Sequence, residues 1–150
     1  MLSIDDLYLP REELAQLAET NPNNPLIQHR GQPSTHDLPL ALSVFDRLRN
    51  GEETKVPSYD KSAFAGKGDR VPPENWAAVN RKGESKIKIV ILEGWCVGFR
   101  PLPAEELENR WKEAVKQRDA RNYQGRLGWN KLINLEFVNK ALIEYEGLTR

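Results

Sequence analysis

The sequence predicts an α/β fold in which a parallel sheet lies between helices. The main observation is an apolar, β-branched run at positions 87–92 that ends at Glu93. A run without polar alternation is typical of a strand covered on both faces, as in parallel sheets. A shorter run, Leu2-Ser3-Ile4, ends similarly at Asp5 and Asp6. Because parallel sheets bind ligands beyond the carboxyl ends of their strands, both ends indicate a functional site.

Composition limits the classes of function that need to be considered. A chain of 150 residues with 39% hydrophobic content is large enough for one domain. Since 22 basic residues balance 22 acidic ones, no global charge favours nucleic acid or an anionic membrane surface as partner. The single cysteine, Cys96, cannot form an internal disulfide, and no apolar segment is long enough to span a membrane. A cytoplasmic location is expected.

Two helices are predicted in the first third of the chain. Pro10 suits the first turn of a helix that continues to about Thr20, and two early glutamates match the helix dipole. Thr35 or Asp37 can cap the second helix, and Gly51 can end it. The apolar face of this second helix contains Leu38, Leu42, Phe45 and Leu48. The long polar stretch between the two helices is expected to be a functional loop.

The rest of the chain contains one short strand candidate and two further helices. Residues 54–56 are the strand candidate, and a polar loop with three basic residues follows at 57–70. Pro101 and Pro103 precede a third helix, and residues 118–125 are expected to be exposed. The third helix has Leu107, Trp111, Ala114 and Val115 on one face, and the last has Leu132, Leu135, Val138, Leu142 and Tyr145.

Four segments in the same order resemble the D-glycerate 3-kinase-like P-loop kinases. These segments are Ser3–Tyr8, Arg30–Asp37, Tyr59–Ser62 together with Gly68–Arg70, and Leu92–Phe99. The chain looks most similar to the fungal ATP-binding kinase-like members, and it is more distantly similar to uridine kinase, phosphoribulokinase and pantothenate kinase. The resemblance implies a partial P-loop NTPase domain, mononucleotide kinase-like, with a parallel sheet and flanking helices. It also implies phosphoryl transfer from ATP to a small hydroxy acid such as glycerate.

The resemblance assigns roles to individual residues. Asp5 matches the acid that accepts the proton of the attacking hydroxyl, which a carboxylate at a strand end can do. Glu93 matches the acid positioned to organise Mg²⁺, an ion that prefers oxygen ligands and keeps several waters. Donors and acceptors that would bind the substrate are Asp6, Tyr8, Arg30, His36, Asp37, Tyr59, Lys61 and Arg70. No nucleic acid or membrane partner is implied, and the oligomeric state is left open.

The chain also departs from the pattern of this family. A Gly-x-x-x-x-Gly-Lys-Ser/Thr phosphate loop is absent from the sequence, since Gly66-Lys67-Gly68 lacks the required spacing. In the family this loop lies just upstream of the position of Met1, and an arginine-bearing lid and a last strand follow the position of Arg150. Residues 1–150 are therefore expected to form a single incomplete P-loop kinase domain. Alone, they should transfer phosphoryl groups poorly or not at all.

Several alternatives remain open from the sequence. The chain could be a non-catalytic remnant that binds a metabolite or a partner, or a gene product whose true start lies upstream. Asp5 and Asp6 could be a helix-capping or solvated pair, and Glu93 could be the solvated end of a strand. His36 could be a cap or a packing residue. The basic residues Lys61, Lys67 and Arg70 could belong to an ordinary loop that is exposed to solvent. Trp95 and Phe99 could line a pocket or cover a sheet edge, whereas Cys96 is expected to be a buried thiol.

Overall fold

The computed structural model describes residues 1–122 and 125–149. These residues form an α/β arrangement of four α-helices and six short strands. The helices are α1 (Arg11–Thr20), α2 (Leu38–Arg49), α3 (Ala104–Asp119) and α4 (Leu132–Tyr145). The strands are β1 (Leu2–Ser3), β2 (Thr54–Val56), β3 (Tyr59–Asp60), β4 (Asp69–Arg70), β5 (Ala77–Val79) and β6 (Leu92–Glu93). Of the segment predicted to be exposed, residues 123 and 124 lie outside the described residues.

The two predicted strand ends lie side by side in a parallel pair. Leu2 of β1 pairs with Leu92 of β6, and Ser3 pairs with Glu93. After Ser3 the chain turns into a 3₁₀ helix from Ile4 to Leu7, and the Ser3 hydroxyl accepts a hydrogen bond from the Asp5 backbone N–H (3.3 Å). The prediction of parallel pairing with flanking helices is confirmed. The shared direction brings the carboxyl ends of both strands to one edge.

The predicted long strand at positions 87–92 is wrong in its extent. Only Leu92 and Glu93 have strand structure, although the Ile91 carbonyl accepts a hydrogen bond from the Leu2 N–H (2.8 Å). The side chains of Ile89 and Ile91 are 80% and 60% exposed. Regular pairing requires neighbouring strands, and within the described residues β6 has one neighbour, which is two residues long. An apolar run alone therefore did not determine burial here.

The predicted helices are all present, and their ends follow from local chemistry. Pro10 precedes α1, and the Asp37 side chain caps α2 by accepting a hydrogen bond from the Leu40 N–H (2.9 Å). Gly51 follows α2 with a left-handed backbone (φ +66°), as expected of a glycine stop. The buried face of α2 is made by Leu38, Ala41, Val44 and Leu48, whereas the predicted Leu42 is exposed.

Two antiparallel pairs complete the strand structure. Strands β2 and β5 pair from Thr54 opposite Val79 to Val56 opposite Ala77. Strands β3 and β4 pair Tyr59 with Arg70, and they close a wide loop at residues 61–68 that we call the hairpin loop. The predicted strand at Thr54–Val56 is therefore observed. The hairpin lies where the sequence had indicated only a polar loop.

Two clusters of buried apolar residues form around the parallel pair and the helices next to it. One contains Ile4, Leu38, Cys96 and Tyr145, and the other contains Leu2, Val44 and Leu48. Cys96 is fully buried, as expected, and burial raises the pKa of its thiol. On α4, Leu142 and Tyr145 are buried, but the predicted core residues Leu132, Leu135 and Val138 are only half-buried. None of the helices among the described residues has the length and apolarity that crossing a membrane requires.

Candidate functional site

A cleft of about 760 Å³ lies between the start of α1 and the hairpin loop. Four residues that the sequence nominated line it: Asp5, Tyr8, Arg30 and Lys61. They come from three distant segments, which the β1 end, the loop after α1 and the hairpin bring together. The cleft is therefore the place where the structure concentrates the nominated residues.

Asp5 is held at this cleft by two hydrogen-bond donors. Lys61 Nζ lies 2.6 Å from Asp5 Oδ2, and Tyr8 Oη donates to Asp5 Oδ1 (2.8 Å). Partial burial alone would raise the pKa of the Asp5 carboxyl, but the hydrogen bonds from Lys61 and Tyr8 and the lysine charge outweigh this effect and lower it. Asp5 is therefore an ionised carboxylate at neutral pH with both oxygens oriented.

The position of Tyr8 is fixed by its contacts with His36. Their rings stack with centroids 4.5 Å apart, and the two residues form an isolated antiparallel β-bridge. His36 Nδ1 lies 2.6 Å from Tyr145 Oη, which also accepts a hydrogen bond from the Ser34 N–H (3.1 Å). Burial lowers the pKa of His36 to about 4, so the imidazole is neutral at pH 7. His36 therefore connects α4 to the Tyr8–Asp5 pair.

Arg30 shapes the hairpin loop. Its guanidinium donates to the carbonyls of Gly66 (2.9 Å) and Lys67 and, at 3.3 Å, to that of Lys61. Arg30 also lies over the Tyr59 ring, with Cζ 5.7 Å from the centroid. Since Lys61 is part of this loop, Arg30 indirectly positions the ammonium group that contacts Asp5.

The remaining nominated residues tie the hairpin to the rest of the site. Asp6 accepts a hydrogen bond from the Tyr59 N–H (3.2 Å), which attaches β3 to the 3₁₀ turn. Arg70 forms an ion pair with Asp37 (2.9 Å) and donates to the Tyr8 carbonyl (2.7 Å). These side chains are not among the residues that line the cleft, and their contacts join the hairpin to the 3₁₀ turn and to the start of α2.

Glu93 lies at the carboxyl end of β6, next to the end of β1 that leads to Asp5. Its side chain is exposed and has no partner among the described residues. Gly94 follows directly, and a Cβ there would lie 2.2 Å from Ile4 Cγ2, so glycine is required for close packing. An exposed carboxylate fits one oxygen ligand of a hydrated Mg²⁺. Within the described residues, no group of three acidic, histidine or cysteine side chains is arranged to hold a metal ion.

The 150 residues contain no phosphate loop that could bind the phosphates of a nucleotide. A phosphate loop presents successive backbone N–H groups, a lysine and a hydroxyl, and its motif does not occur within the 150 residues. The glycines of the hairpin loop do not replace it, because carbonyl groups of this loop point to Arg30. The nominated residues at the cleft are therefore not accompanied by a phosphate-loop motif within the 150 residues.

Sequence reasoning missed several residues that line the cleft. Arg11, Gln28 and His29 come from the start of α1 and the loop after it, and Lys67 comes from the hairpin loop. The signal available in the sequence was weak, because a charged residue in the first turn of a helix is commonly solvated.

Trp95 and Phe99 contact each other edge to face, with ring centroids 5.8 Å apart, and line a separate apolar depression of about 600 Å³.

Comparison with known proteins gives sequence relatives and structural matches. The chain is 40% identical over 148 residues to an uncharacterized kinase, mug58, of Schizosaccharomyces pombe, covering 97% of the chain and 48% of that protein. It is 40% identical over 108 residues to the chloroplastic D-glycerate 3-kinase of Arabidopsis thaliana, covering 69% of the chain and 23% of that protein. No protein-family model matches the chain.

The solved structure of D-glycerate 3-kinase from Cryptococcus neoformans matches the fold with a TM-score of 0.83 at 34% identity. The match covers 98% of the chain and 49% of that structure. The chain thus spans about half the length of the fungal kinase mug58 and of this solved structure. In sequence and fold the chain is thus similar to D-glycerate 3-kinases and related kinases, and it has the P-loop kinase fold over the part that it spans.

Proposed function

We propose that the chain provides the acceptor side of an ATP-dependent kinase that phosphorylates a hydroxyl group of a small hydroxy acid of the glycerate type. The observation that carries this proposal is the ionised Asp5 carboxylate, held by Lys61 and Tyr8 at the edge of a cleft with several basic residues. The similarity to D-glycerate 3-kinases supports the choice of acceptor.

In this proposal Asp5 orients the substrate hydroxyl and accepts its proton on a carboxylate oxygen. The lowered pKa keeps Asp5 ionised at the cost of basicity. It is compatible with this role because phosphoryl transfer depends mainly on positioning, and the proton need leave only as the new bond forms. Lys61 can turn from Asp5 to the substrate, since its side chain is exposed and carries three donors. ATP would supply the phosphoryl group when bound to the whole protein. Glu93 would contribute one oxygen ligand to its Mg²⁺.

Some of the other nominated residues would lie next to the substrate, and the rest would hold those residues in place. Tyr8 and Arg30 line the cleft, and the guanidinium of Arg30 also holds the hairpin loop. We propose that Asp6, His36, Asp37, Tyr59 and Arg70 fix the positions of these residues. A small acid carries one negative charge and several hydroxyls, so the cleft offers it both cationic donors and one carboxylate acceptor.

The test is a titration of the ¹⁵N-labelled chain with D-glycerate, followed by NMR. We expect saturable shifts at Asp5, Tyr8 and Lys61, and weaker binding by Lys61→Met, because the variant removes a cation from the cleft. Lys55→Met is the matched control, since Lys55 is exposed on β2 and lies outside the cleft. A failure of the unmodified chain to bind D-glycerate at millimolar concentration would contradict the proposed acceptor.

The second candidate function is binding without catalysis. It is favoured by one observation, namely that the phosphate loop motif does not occur within the 150 residues. Both functions predict binding of the hydroxy acid, but only the kinase predicts dependence on the Asp5 charge during turnover by the whole protein. Asp5→Asn should keep acceptor binding and abolish turnover if the kinase proposal is right.

We also propose that the protein resides in a reducing compartment such as the cytosol, because Cys96 is buried and unpaired, although the plant relative is named chloroplastic.

A further inference from the structure

Arg11 has no role in the proposal so far, yet it lines the same cleft as Asp5 and Lys61. It is the first residue of α1, and its backbone N–H donates to Asp69 Oδ1 (2.9 Å). Asp69 belongs to β4, so this bond ties the start of α1 to the hairpin. The position of Arg11 relative to the cleft is therefore fixed by the fold rather than by its own side chain.

The guanidinium of Arg11 is oriented but has no anionic partner. Its Cζ lies 4.3 Å from the centroid of the Phe64 ring, a distance typical of a cation–π contact. Its Nε is buried without a hydrogen-bond partner, and no carboxylate among the described residues forms an ion pair with it. No hydrogen-bond acceptor among the described residues engages this guanidinium, so an anion that reaches its Nη groups would be its first charged partner.

The other basic side chains at the cleft either already have a hydrogen-bond partner or are exposed to solvent. Arg30 donates to three carbonyls of the hairpin loop, and Lys61 contacts Asp5. Lys67 is exposed to solvent, whereas Arg11 is half-buried. Among the cleft residues that the structure describes, Arg11 is thus the arginine whose planar group is stacked and still able to bind an anion. A guanidinium matches a carboxylate with two parallel hydrogen bonds.

We propose that Arg11 is the specificity-determining residue for the acid group of the acceptor and selects a hydroxy acid over a neutral polyol. This inference rests on the proposed function, because it names the feature of the substrate that the cleft recognises. Phe64 contributes by holding the guanidinium plane. Asp5 and Arg11 then divide the substrate between them, with the hydroxyl group at Asp5 and the acid group at Arg11.

The experiment compares the affinities of the ¹⁵N-labelled chain and three variants for D-glycerate, glycerol and inorganic phosphate. Arg11→Gln removes the charge, and Arg11→Lys keeps the charge but loses the planar fork. Arg49→Gln is the matched control, since Arg49 is exposed at the end of α2. We expect D-glycerate binding to weaken about tenfold or more in Arg11→Gln, the usual effect of losing a charge-assisted pair, and to recover only partly in Arg11→Lys. Glycerol binding should not change.

The Arg11 Nε–H resonance gives a second readout, because bidentate binding of an acid should shift it at saturation. Equal D-glycerate affinity in Arg11→Gln and the unmodified chain would overturn the role of Arg11 and leave the proposed acceptor intact. Binding of phosphate that requires Arg11, without binding of D-glycerate, would support Arg11 as an anion site and overturn the acceptor. If neither anion binds the unmodified chain, both inferences are wrong.

Discussion

The charge state of Asp5 results from opposing effects on one carboxyl group. Burial disfavours its ionised form, but the hydrogen bonds from Lys61 and Tyr8 and the lysine charge favour it. We expect Lys61→Met to raise the pKa of Asp5, because the variant removes both a hydrogen bond and a charge and leaves the burial in place. An NMR titration of the Asp5 carboxyl carbon measures this change directly.

The control for this prediction is Lys55→Met, which removes an equal charge from an exposed position away from Asp5. Its effect on the Asp5 pKa should be small, since charges separated by water are screened. An unchanged Asp5 titration in Lys61→Met would show that the short contact between Lys61 and Asp5 is not maintained in solution.

His36 makes folding stability depend on pH in a defined window. Its pKa is about 4 in the folded chain because of burial, whereas an unfolded histidine titrates near its ordinary value of 6.5. Between these values the unfolded state binds a proton that the folded state does not, so stability falls as pH decreases from about 6.5 toward 4. The loss between pH 7 and pH 5 should be about 2 kcal/mol. Urea unfolding at both pH values measures it.

The two histidines of the chain provide their own control. His36→Gln should remove most of this pH dependence, whereas His29→Gln should retain it, because His29 is exposed at the cleft. A difference between pH 7 and pH 5 that persists in His36→Gln would assign the effect to other groups.

The sequence nominated Asp5 from its position after a strand, and Lys61 and Arg30 from the resemblance of their loops, and the structure places all three at one cleft. The contacts of Arg30 with carbonyls 31 to 37 residues away could not be read from the sequence, because they depend on how the hairpin folds back. The same reason hid Arg11, whose significance comes from its contact with Phe64, an aromatic residue of the hairpin loop.

Within the hairpin, Gly68 should contribute more to folding stability than Gly66. Gly68 has a left-handed backbone (φ +76°), and a Cβ there would lie 2.6 Å from Tyr59 Cε1 and 2.8 Å from Arg30 Nη1. Gly66 has a similar φ of +87°, but a Cβ there would meet nothing within 4 Å. Both alanine variants should lose about 1–2 kcal/mol from backbone strain. Gly68→Ala should lose roughly 1 kcal/mol or more beyond this through the clash.

Urea denaturation of the two variants checks this comparison, since the difference between them isolates the clash from the backbone effect. Gly68→Ala should also shift the NMR signals of Lys61 and Asp5, because the clash displaces Arg30 from the loop. Equal midpoints for both variants would mean that the loop relaxes around the new methyl group.

Helices could be predicted from this sequence, whereas the extent of the strands could not. Helix α2 carries its own signals, namely Asp37 as cap, apolar spacing and Gly51 as stop, and these act within a few residues. Strand structure at positions 87–92 needs partners from elsewhere in the chain, and only β1 is next to it within the described residues. The apolar pattern was thus informative about propensity and misleading about burial.

For the whole molecule, the exposed segment from Ile87 to Ile91 predicts self-association. It is extended and β-branched, and Ile89 and Ile91 expose most of their side chains. Such a segment offers backbone and apolar groups to another chain. We expect the 150-residue chain to associate reversibly at concentrations of tens of micromolar. The double variant Ile89→Lys and Ile91→Lys should shift it toward the monomer.

Sedimentation velocity over a concentration series measures this association. Ile133→Lys with Ile143→Lys is the matched control, because both isoleucines are exposed on α4, 68% and 55%, away from the segment. If the control variant reduces association as much as the segment variant, the surface of α4 rather than the segment at positions 87–91 mediates it.

The parallel pair also determines when the site can form. Leu2 and Leu92 are about ninety residues apart in sequence, and their pairing sets the position of the turn that carries Asp5. Closing so long a loop is slow, and its entropic cost is compensated only once the two intervening helices and the antiparallel strand pairs have packed. During synthesis, Asp5 would leave the ribosome before β6, and it could reach its final position only after β6 has been made. The cleft is therefore a late product of folding, and a bound acceptor would act as a template that favours its completion.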